Sequence, residues 1–516
     1  MSGSIGYIML AFALYLMGMI IIGAIYAKKN TSSEDYFLGG RSLSGFVAAL
    51  SAQASDMSGW LLMGLPGSVY ALGTGQSWIA IGLFLGTVFN WLVISKRLRR
   101  YTIRANNSLT LPTYFENRFH DKKRILLFIS SITIVIFFLV YTASALAAGG
   151  KLFASVFGVE YKIALTIGAL VILVYTFLGG FMAVCVTDFV QGTLMLIAIL
   201  AVPLIALNLI GTGNVSAALE QTGAAGGAVS FLNILDNGGK SFTAVEIISQ
   251  LAWGLGYCGM PHILVRFMAV KDEKELKKSK GVAIGWVALS LIFACVIGVV
   301  GRAYLPGILE GSESENVFIN MIIKMFTQDF NLPVIGGIFL CGILAAIMST
   351  ADSQLLVSAS SVAEDIFKGI VKKDADNKTV LRVSRITVFI IALLAYFIAL
   401  NPNNSIMGLV SNAWAGLGAA FGPIVLLSLF WKRTNFAGAV AGILSGALTV
   451  IVWDYIPFIA DNEGAYITLG ASTGLYSLAI GFVIGVAAIV IASLATKAPS
   501  EEMLREFEDV RKGNVV

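Results

Sequence analysis

Asp56 is the residue whose surroundings most need a chemical explanation. It lies in the segment SAQASDMSGWLLMGLPG, residues 51–67, among small and apolar side chains. An ionised carboxylate at the centre of a lipid bilayer costs on the order of 3 kcal/mol. Ser55 and Ser58 add hydroxyl groups beside it, and Gly59 leaves room for another group to approach. This set predicts a site for a small hard cation, whereas a helix cap or a side chain reaching toward the membrane surface is the alternative.

A second set of oxygen donors lies in the segment CGILAAIMSTADSQLLVSASS, residues 341–361. Ala346, Ser349 and Thr350 are spaced i, i+3 and i+4, so they share one face of a helix. Two hydroxyls and a small residue that exposes its carbonyl suit a weakly held alkali ion, whereas bonds from the hydroxyls to their own helix are the alternative. Asp352 nearby lies either on an inward exit path or at a helix contact, and the sequence does not decide between them.

Three aromatic residues with polar tips, Tyr141, Trp253 and Tyr257, suit the walls of a pocket for a small organic solute. Ordinary packing in a membrane core or at its interface is the alternative for all three. Asp188 follows Thr187 at the expected inside start of the sixth apolar segment. It would either cap a helix or lie on the cation's inward route, and we favour the cap.

The composition predicts the kind of fold that must position these side chains. The chain has 516 residues, 57% of them hydrophobic and 13% charged, and its mean hydropathy is +0.84. These values indicate an all-α polytopic membrane protein. Apolar stretches long enough to span a bilayer recur throughout, and they predict about 13 transmembrane helices, the first of them retained rather than cleaved. The expected ranges are 5–27, 44–71, 77–95, 125–150, 161–183, 189–210, 242–266, 281–301, 332–361, 384–400, 404–431, 435–453 and 466–496.

The positive charges predict the orientation of these helices. With the N-terminus outside and the C-terminus inside, 30 of the 35 Lys and Arg residues fall in inside segments. That asymmetry follows the positive-inside rule. The basic runs alternate with apolar spans and lack interleaved aromatics, so a nucleic-acid partner is not expected.

Chemical catalysis is not expected of this chain. It has only two histidines, and no nucleophile–base, paired-carboxylate or phosphate-loop arrangement stands out. The cysteines are scattered through apolar segments without metal-ligand or disulfide spacing, as expected of small hydrophobic residues in helices. They are Cys185, Cys258, Cys295 and Cys341.

Two expected spans, 44–71 (span two) and 242–266 (span seven), are interrupted by glycine and proline. Span seven runs into WGLGYCGMPHILVRF, residues 253–267. Glycine and proline free backbone carbonyls, which in lipid must line a cavity or meet a ligand. Two interrupted spans five helices apart predict a 5+5 inverted-repeat core with broken helices. Close helix packing is the alternative, and we favour it for GLGAAFG at 416–422, through Gly418 and Gly422.

This pattern divides the chain into six expected segments. The tail is too short for an independent sensor domain. The segments are a first helix with a basic inside loop (1–43), a first inverted repeat of helices two to six (44–210), an outside loop (211–241), a second inverted repeat of helices seven to eleven (242–431), helices twelve and thirteen (432–496) and a cytoplasmic tail (497–516).

Four long motifs together resemble the sodium/solute symporter family, in particular its bacterial members that transport proline. The likeness runs from YFLGGRSL at 36–43 to TKAP at 496–499, nearly the whole chain. Gln53 departs from the family pattern, which has a small residue at that position. The motifs are SAQASDMSGWLLMGLPG, WGLGYCGMPHILVRFMA, ILAAIMST and LVSNAWAGLGAAFGPIVLLS.

The resemblance implies a role for each candidate residue. Sodium would be held by the carbonyls of Ala54, Met57 and Ala346 and by the hydroxyls of Ser349 and Thr350. Asp56 matches the acid needed for sodium use, and Arg41 and Asp188 match positions linked to coupling. The positions implied in binding the solute are Ser55, Asp56, Ser58, Gly59, Tyr141, Trp253, Tyr257 and Pro261.

The function implied is secondary active transport rather than an enzymatic reaction. One sodium ion would move inward with one L-proline by alternating access, across the cytoplasmic membrane of a bacterium, with no obligate protein partner. The nearest alternative is a symporter of the same family for a sugar, a sialate or a carboxylate vitamin. A proton-coupled carrier is the next, and an ion channel is disfavoured because the sequence has no pore-lining repeat or ring of charges.

Overall fold

The computed structural model describes residues 2–27, 33–176, 180–305, 307–457, 459–460 and 466–514. Lys28 and Lys29, which we expect in an inside loop, lie outside the described residues. The α-helices are α1 (Ser2–Ala27), α2 (Ser33–Leu38), α3 (Gly45–Asp56), α4 (Leu65–Leu72), α5 (Ser77–Phe89), α6 (Ser95–Arg104), α7 (Leu111–Arg118), α8 (Ile125–Phe157), α9 (Tyr161–Thr176), α10 (Phe181–Ile210), α11 (Val215–Gln221), α12 (Gly227–Phe231), α13 (Ala244–Leu251), α14 (Pro261–Ala269), α15 (Glu273–Tyr304), α16 (Val317–Ile323), α17 (Pro333–Ser360), α18 (Asn377–Ala399), α19 (Ile406–Phe430), α20 (Phe436–Tyr455), α21 (Leu469–Thr473), α22 (Ser477–Ala495) and α23 (Glu501–Lys512).

Shorter or differently wound elements complete the described chain. Strand β1 (Asp236–Asn237) pairs antiparallel with β2 (Lys240–Ser241), and β3 (Ile459–Ala460) pairs antiparallel with β4 (Tyr466–Ile467). Segments of 3₁₀ helix are Gly39–Arg41, Thr74–Gln76, Thr212–Asn214, Ala252–Gly259 and Gly311–Asn316. Segments of π-helix are Trp60–Gly64, Asn90–Ile94, Lys324–Asp329 and Ser361–Val371.

Ten helical stretches of the described chain are long and apolar enough to cross a membrane. The two interrupted spans and the shorter α9 bring the total to about thirteen, and the chain is a multi-pass membrane protein. The ten stretches are Ser4–Tyr26, Thr74–Arg104, Ile125–Phe157, Phe181–Ile210, Glu273–Tyr304, Pro333–Val371, Asn377–Ala399, Ile406–Phe430, Phe436–Tyr455 and Ser477–Ala495.

Several expected helix boundaries are wrong, and two of them lie where the chain leaves the helical conformation. The fifth span does not continue through residue 183, because Gly180 is extended (φ −124°, ψ −172°) and a new helix, α10, begins directly after it. The last span does not begin at residue 466 either. Residues there form β4 and α21, Gly474 adopts a left-handed conformation with φ of 65°, and α22 begins only at Ser477.

Span two is interrupted directly after Asp56. Met57, with φ −81° and ψ 75°, leaves the helical conformation, and the chain winds again from Trp60 into α4. The Ser58 hydroxyl accepts a hydrogen bond from the backbone N–H of Trp60 at 3.3 Å. A Cβ at Gly59 would lie 2.7 Å from the Cβ of Ala148 on α8, so α8 packs too closely here for a larger residue.

Span seven is interrupted over a longer stretch. It begins as α13, continues as the 3₁₀ segment Ala252–Gly259, and restarts at Pro261 after an extended Met260 (φ −82°, ψ 105°). Glycines here also permit close packing: a Cβ at Gly254 would lie 2.1 Å from the carbonyl oxygen of Gly82 on α5. A Cβ at Gly418 on α19 would lie 2.8 Å from the Cα of Gly256. The glycines of span seven therefore serve both an interruption and a close helix contact.

Helix contacts within the core follow a twofold pattern. Span two packs on α15, and span seven packs on α5; α3 packs on α10, and the 3₁₀ segment of span seven packs on α19. In the same way α8 contacts α9 and α19, while α17 contacts α18 and α10. Exchanging the first five core helices for the second five reproduces these contacts, as a 5+5 inverted repeat with broken helices requires.

Candidate ion and substrate site

The oxygen atoms expected to hold a cation meet between α3 and α17. The Ser349 hydroxyl donates to the Ala54 carbonyl at 2.7 Å, and the Thr350 hydroxyl reaches the same carbonyl at 3.4 Å. Ser349 also lies 3.2 Å from the carbonyl oxygen of Ala346. All four residues are completely buried. The alternative in which these hydroxyls bond only their own helix is wrong, because both cross to α3.

These atoms fit an alkali ion for three physical reasons. The carbonyl of Ala54 belongs to the last turn of α3, where carbonyls have no partner in their own helix and carry partial negative charge. Each hydroxyl keeps lone pairs that can turn toward a cation once its proton rotates away. Every donor atom in this set is a carbonyl or hydroxyl oxygen, the ligand type that hard cations prefer.

Met57, the remaining expected ligand, lies at the interruption itself. Its N–H still donates to the carbonyl of Gln53 at 2.8 Å, but its ψ of 75° turns its own carbonyl out of the helical direction. The side chain is completely buried. The structure therefore places this carbonyl on the interrupted backbone, and its role as a ligand stays a prediction.

Asp56 lies at the C-terminal end of α3 and is completely buried. Its Oδ2 accepts a hydrogen bond from the Tyr257 hydroxyl at 2.6 Å, and its backbone carbonyl accepts from the indole N–H of Trp60 at 3.0 Å. The other carboxylate oxygen, Oδ1, has no hydrogen-bond partner among the described residues. Both alternatives raised from the sequence are wrong, because the side chain neither caps a helix nor reaches a surface. It links the two interrupted spans.

Two of the aromatic residues expected in the substrate pocket, Trp253 and Tyr257, lie in span seven, and the third, Tyr141, lies on α8. The ring of Tyr257 meets that of Trp414 on α19 edge-on, with centroids 5.1 Å apart, and the Trp414 indole donates to the Trp253 carbonyl at 2.8 Å. Tyr141 on α8 is completely buried and makes an edge-on contact with His262 at 6.1 Å. Neither Trp414 nor His262 was predicted to lie in this set from the sequence. Neither ring nitrogen of His262 has a hydrogen-bond partner among the described atoms.

The remaining residues expected to bind the solute are Ser55, Ser58, Gly59 and Pro261. The Ser55 hydroxyl donates to the carbonyl of Ala52 in its own helix at 3.2 Å. Ser58 and Gly59 form the interruption of span two, and Pro261 begins the second half of span seven. These four residues therefore shape the two breaks, and their contact with a solute stays a prediction.

Asp188 is not a helix cap, because α10 begins at Phe181 and the carboxylate is completely buried. It accepts from the Ser51 hydroxyl at 2.7 Å and pairs with Arg266 at 3.2 Å. The Arg266 guanidinium also donates to Ser353 at 2.6 Å. This network joins α3, α10, α14 and α17. Arg266, a charge inside the apolar run PHILVRF, was a signal that the sequence analysis did not use.

Arg41 lies away from the breaks, in a left-handed turn with φ of 48°. Its guanidinium donates to the carbonyls of Met268 at 2.6 Å and Ser108 at 2.9 Å, and to the Asn107 side chain at 2.7 Å. Burial lowers the pKa of Arg41 to about 10. It therefore ties the end of span seven to the segment after α6.

Asp352 is completely buried, and its carboxylate lies 3.4 Å from the Ser353 hydroxyl.

Comparisons with known proteins show the family and the fold of this chain. The sodium/proline symporter of Escherichia coli K12 is 44% identical over 507 residues, which cover 97% of this chain and 95% of that protein. The osmoregulated proline transporter OpuE of Bacillus subtilis 168 is 41% identical over 508 residues, 98% of each chain. A solved Na⁺-coupled sialic acid symporter shares the fold, with a TM-score of 0.75 at 19% identity over 96% of this chain and 99% of that one. Residues 36–446 match the family described as the sodium:solute symporter family, and the chain belongs to that family.

Proposed function

We propose that this protein is a secondary active transporter that moves sodium and L-proline into the cell together. The observation that carries the proposal is the meeting of the Ala54 carbonyl with the hydroxyls of Ser349 and Thr350 across the interrupted span. The choice of proline is supported by the relatives, two of which are named as proline transporters. Sodium is cargo here, and no chemical step is needed.

Sodium changes the affinity for proline by joining two elements. An ion held between Ala54 and the two hydroxyls fixes the end of α3 against α17. The residue that ends α3, Asp56, is hydrogen-bonded to Tyr257 in span seven. Fixing α3 therefore also fixes the wall of the proposed proline pocket. A ligand shifts a conformational equilibrium only through such a difference in affinity between states.

Proline would be recognised by charge and by shape. Its carboxylate suits the N-terminal end of a helix that restarts after a break, where backbone N–H groups are unpaired and carry partial positive charge. Its ring suits the buried aromatic faces of Tyr141, Trp253 and Tyr257. With both ligands bound, one helical bundle rocks against the other and exposes the site to the opposite side.

The driving force is sufficient for accumulation. One sodium ion entering down about 100 mV gains about 2.3 kcal/mol, and a tenfold concentration gradient adds about 1.4 kcal/mol. The sum of about 3.7 kcal/mol supports a roughly 500-fold accumulation of a solute with no net charge.

The proposed orientation places the N-terminus outside and the C-terminus inside the cytoplasmic membrane. It follows from the 30 of 35 basic residues that this arrangement puts inside. The end of the molecule where α4 ends and α13 begins is then the outer end. The tail helix α23 packs on α6 at the inner end, where Arg104 pairs with Asp509 at 3.4 Å.

The decisive experiment is uptake of labelled proline into proteoliposomes with and without an inward sodium gradient. We expect sodium-driven accumulation in the wild type, and loss of sodium dependence in Asp56→Asn. A panel of unlabelled sugars, sialate and carboxylate vitamins should not compete. Uptake that persists without sodium at low pH would instead identify a proton-coupled carrier and contradict the proposal.

A further inference from the structure

Tyr476 lines a cavity at the outer end of the molecule. This cavity, the vestibule, has a volume of about 520 Å³ and is lined in part by Ser249, Trp253, Ser411 and Tyr476. The ring of Tyr476 stacks on that of Trp253, with centroids 5.2 Å apart and planes inclined by 21°. Beneath it Trp253 is only 7% exposed. Tyr476 and Trp253 thus line the vestibule together, and Trp253 is also proposed to line the proline pocket.

The position of the Tyr476 ring is fixed from two directions. Its hydroxyl donates to the Ser411 carbonyl on α19 at 2.7 Å. Its backbone N–H donates to the Ser249 hydroxyl on α13 at 3.0 Å, and that hydroxyl donates to the Gly474 carbonyl. Tyr476 precedes α22, a helix outside the two five-helix repeats. Its hydrogen bonds nevertheless connect it to α13 of span seven and to α19. A separation of those two elements would break one of these hydrogen bonds.

A continuous set of contacts leads from Tyr476 to Asp56. The carbonyl of Trp253 accepts from Trp414, and the Trp414 ring packs edge-on against Tyr257. The Tyr257 hydroxyl donates to the carboxylate of Asp56. The stack at the vestibule is thus connected to Asp56, two residues from the proposed ligand Ala54, through the backbone carbonyl of Trp253 and the side chains of Trp414 and Tyr257.

We propose that Tyr476 is the outer gating residue of this transporter: its ring holds Trp253 over the pocket, and proline leaves to the outside only when the Tyr476–Trp253 stack separates. Tyr476 is a positioning residue, because it acts on the solute through Trp253. The assignment rests on the proposed function, since it takes proline as the gated solute. It gives a transport role to the α20–α22 hairpin, which lies outside the repeats.

The test is the rate at which bound proline dissociates. Purified carrier in nanodiscs is loaded with labelled proline in sodium buffer and then chased with excess unlabelled proline. Since an aromatic pair contributes about 0.5–1.5 kcal/mol, Tyr476→Ala should dissociate proline about 2- to 12-fold faster. Tyr476→Phe keeps the ring and loses only the bond to Ser411, so its change should be smaller than that of Tyr476→Ala. Sodium binding measured without proline should stay within about twofold in both variants, because Tyr476 contacts none of the proposed ion ligands.

A matched control is available in the same connection between α20 and α22. Tyr466 is 69% exposed, and Tyr466→Ala should leave the dissociation rate unchanged. If Tyr476→Ala does not fold, Tyr476→Leu keeps the bulk without the flat ring and should show the same acceleration. A dissociation rate within twofold of the wild type, or a change in Tyr476→Phe as large as in Tyr476→Ala, would overturn the assignment. If the wild type does not bind proline at all, the proposed function fails first and this assignment falls with it.

Discussion

Ser349→Ala tests the proposed sodium site most directly. The Ser349 hydroxyl lies closer to the Ala54 carbonyl than the Thr350 hydroxyl does, at 2.7 Å against 3.4 Å. It also lies 3.2 Å from the carbonyl of Ala346. The substitution removes one of the oxygen atoms proposed to coordinate the ion. Losing one partner of a buried polar group costs about 1–3 kcal/mol. At about 1.4 kcal/mol per tenfold, the sodium concentration for half-maximal uptake should rise about 5- to 140-fold.

The assay is initial proline uptake into proteoliposomes over a range of sodium concentrations, at saturating proline. Ser349→Ala should recover most of its maximal rate once sodium is high enough, because the proline pocket is untouched. Thr350→Val, which replaces the longer contact, should show a smaller rise. The matched control is Ser358→Ala on the same helix, whose buried hydroxyl has no hydrogen-bond partner among the described residues.

The proposed sodium site is contradicted if Ser349→Ala reaches half-maximal proline uptake at the same sodium concentration as the wild type. It also fails if Ser358→Ala shifts the sodium dependence as far as Ser349→Ala does. In either case the meeting of α3 and α17 would be a helix contact rather than an ion site.

Three further substitutions follow from single contacts. Tyr257→Phe removes the donor to Asp56, so proline binding measured with and without sodium should lose about tenfold or more of its sodium enhancement, the order expected for a hydrogen bond to a charged group. Gly59→Ala places a methyl group 2.7 Å from the Cβ of Ala148 and should destabilise the purified protein by about 1–3 kcal/mol in thermal unfolding; adding Ala148→Gly should restore the loss, and failure to do so would contradict the packing argument. The Asp272 carboxylate, at the start of α15, accepts from a backbone N–H, which lowers its pKa below the ordinary 3.8. Its stabilising contribution should therefore be complete above pH 3.8 and be lost as the pH falls through the lowered pKa, so Asp272→Ala should lower the unfolding temperature at pH 7 and have less effect near pH 2.

The sequence was most informative where a local pattern has a local structural cause. Glycine and proline residues near Asp56 and around residues 254–261 predicted interruptions of spans two and seven, and both interruptions are present. The i, i+3, i+4 spacing of Ala346, Ser349 and Thr350 predicted a shared face, and that face meets α3. Backbone conformation and helical periodicity are set by neighbouring residues, so a single sequence is enough to predict them.

The errors arose where the outcome depends on one backbone angle or on a distant partner. Hydropathy averages over about 19 residues, so it extended the fifth span through Gly180, which is extended and directly precedes α10. Tyr476 and Trp253 are 223 positions apart in the sequence, and nothing local to either predicts that they stack. For the same reason the sequence assigned Asp188 to a cap rather than to its pairing with Arg266.

The position of Asp56 explains why a carboxylate is retained inside this membrane protein. A sodium ligand alone would not require it, because carbonyls and hydroxyls supply the oxygen atoms at Ala54 and Ser349. The bonds of those neutral groups run between α3 and α17 and do not reach span seven. A charged carboxylate forms a stronger hydrogen bond than a neutral acceptor, and the 2.6 Å bond from Tyr257 joins the two broken helices at the point where both are unwound. We propose that this bond couples the proposed sodium site to the proposed proline pocket, and that this coupling offsets the cost of burying the carboxylate.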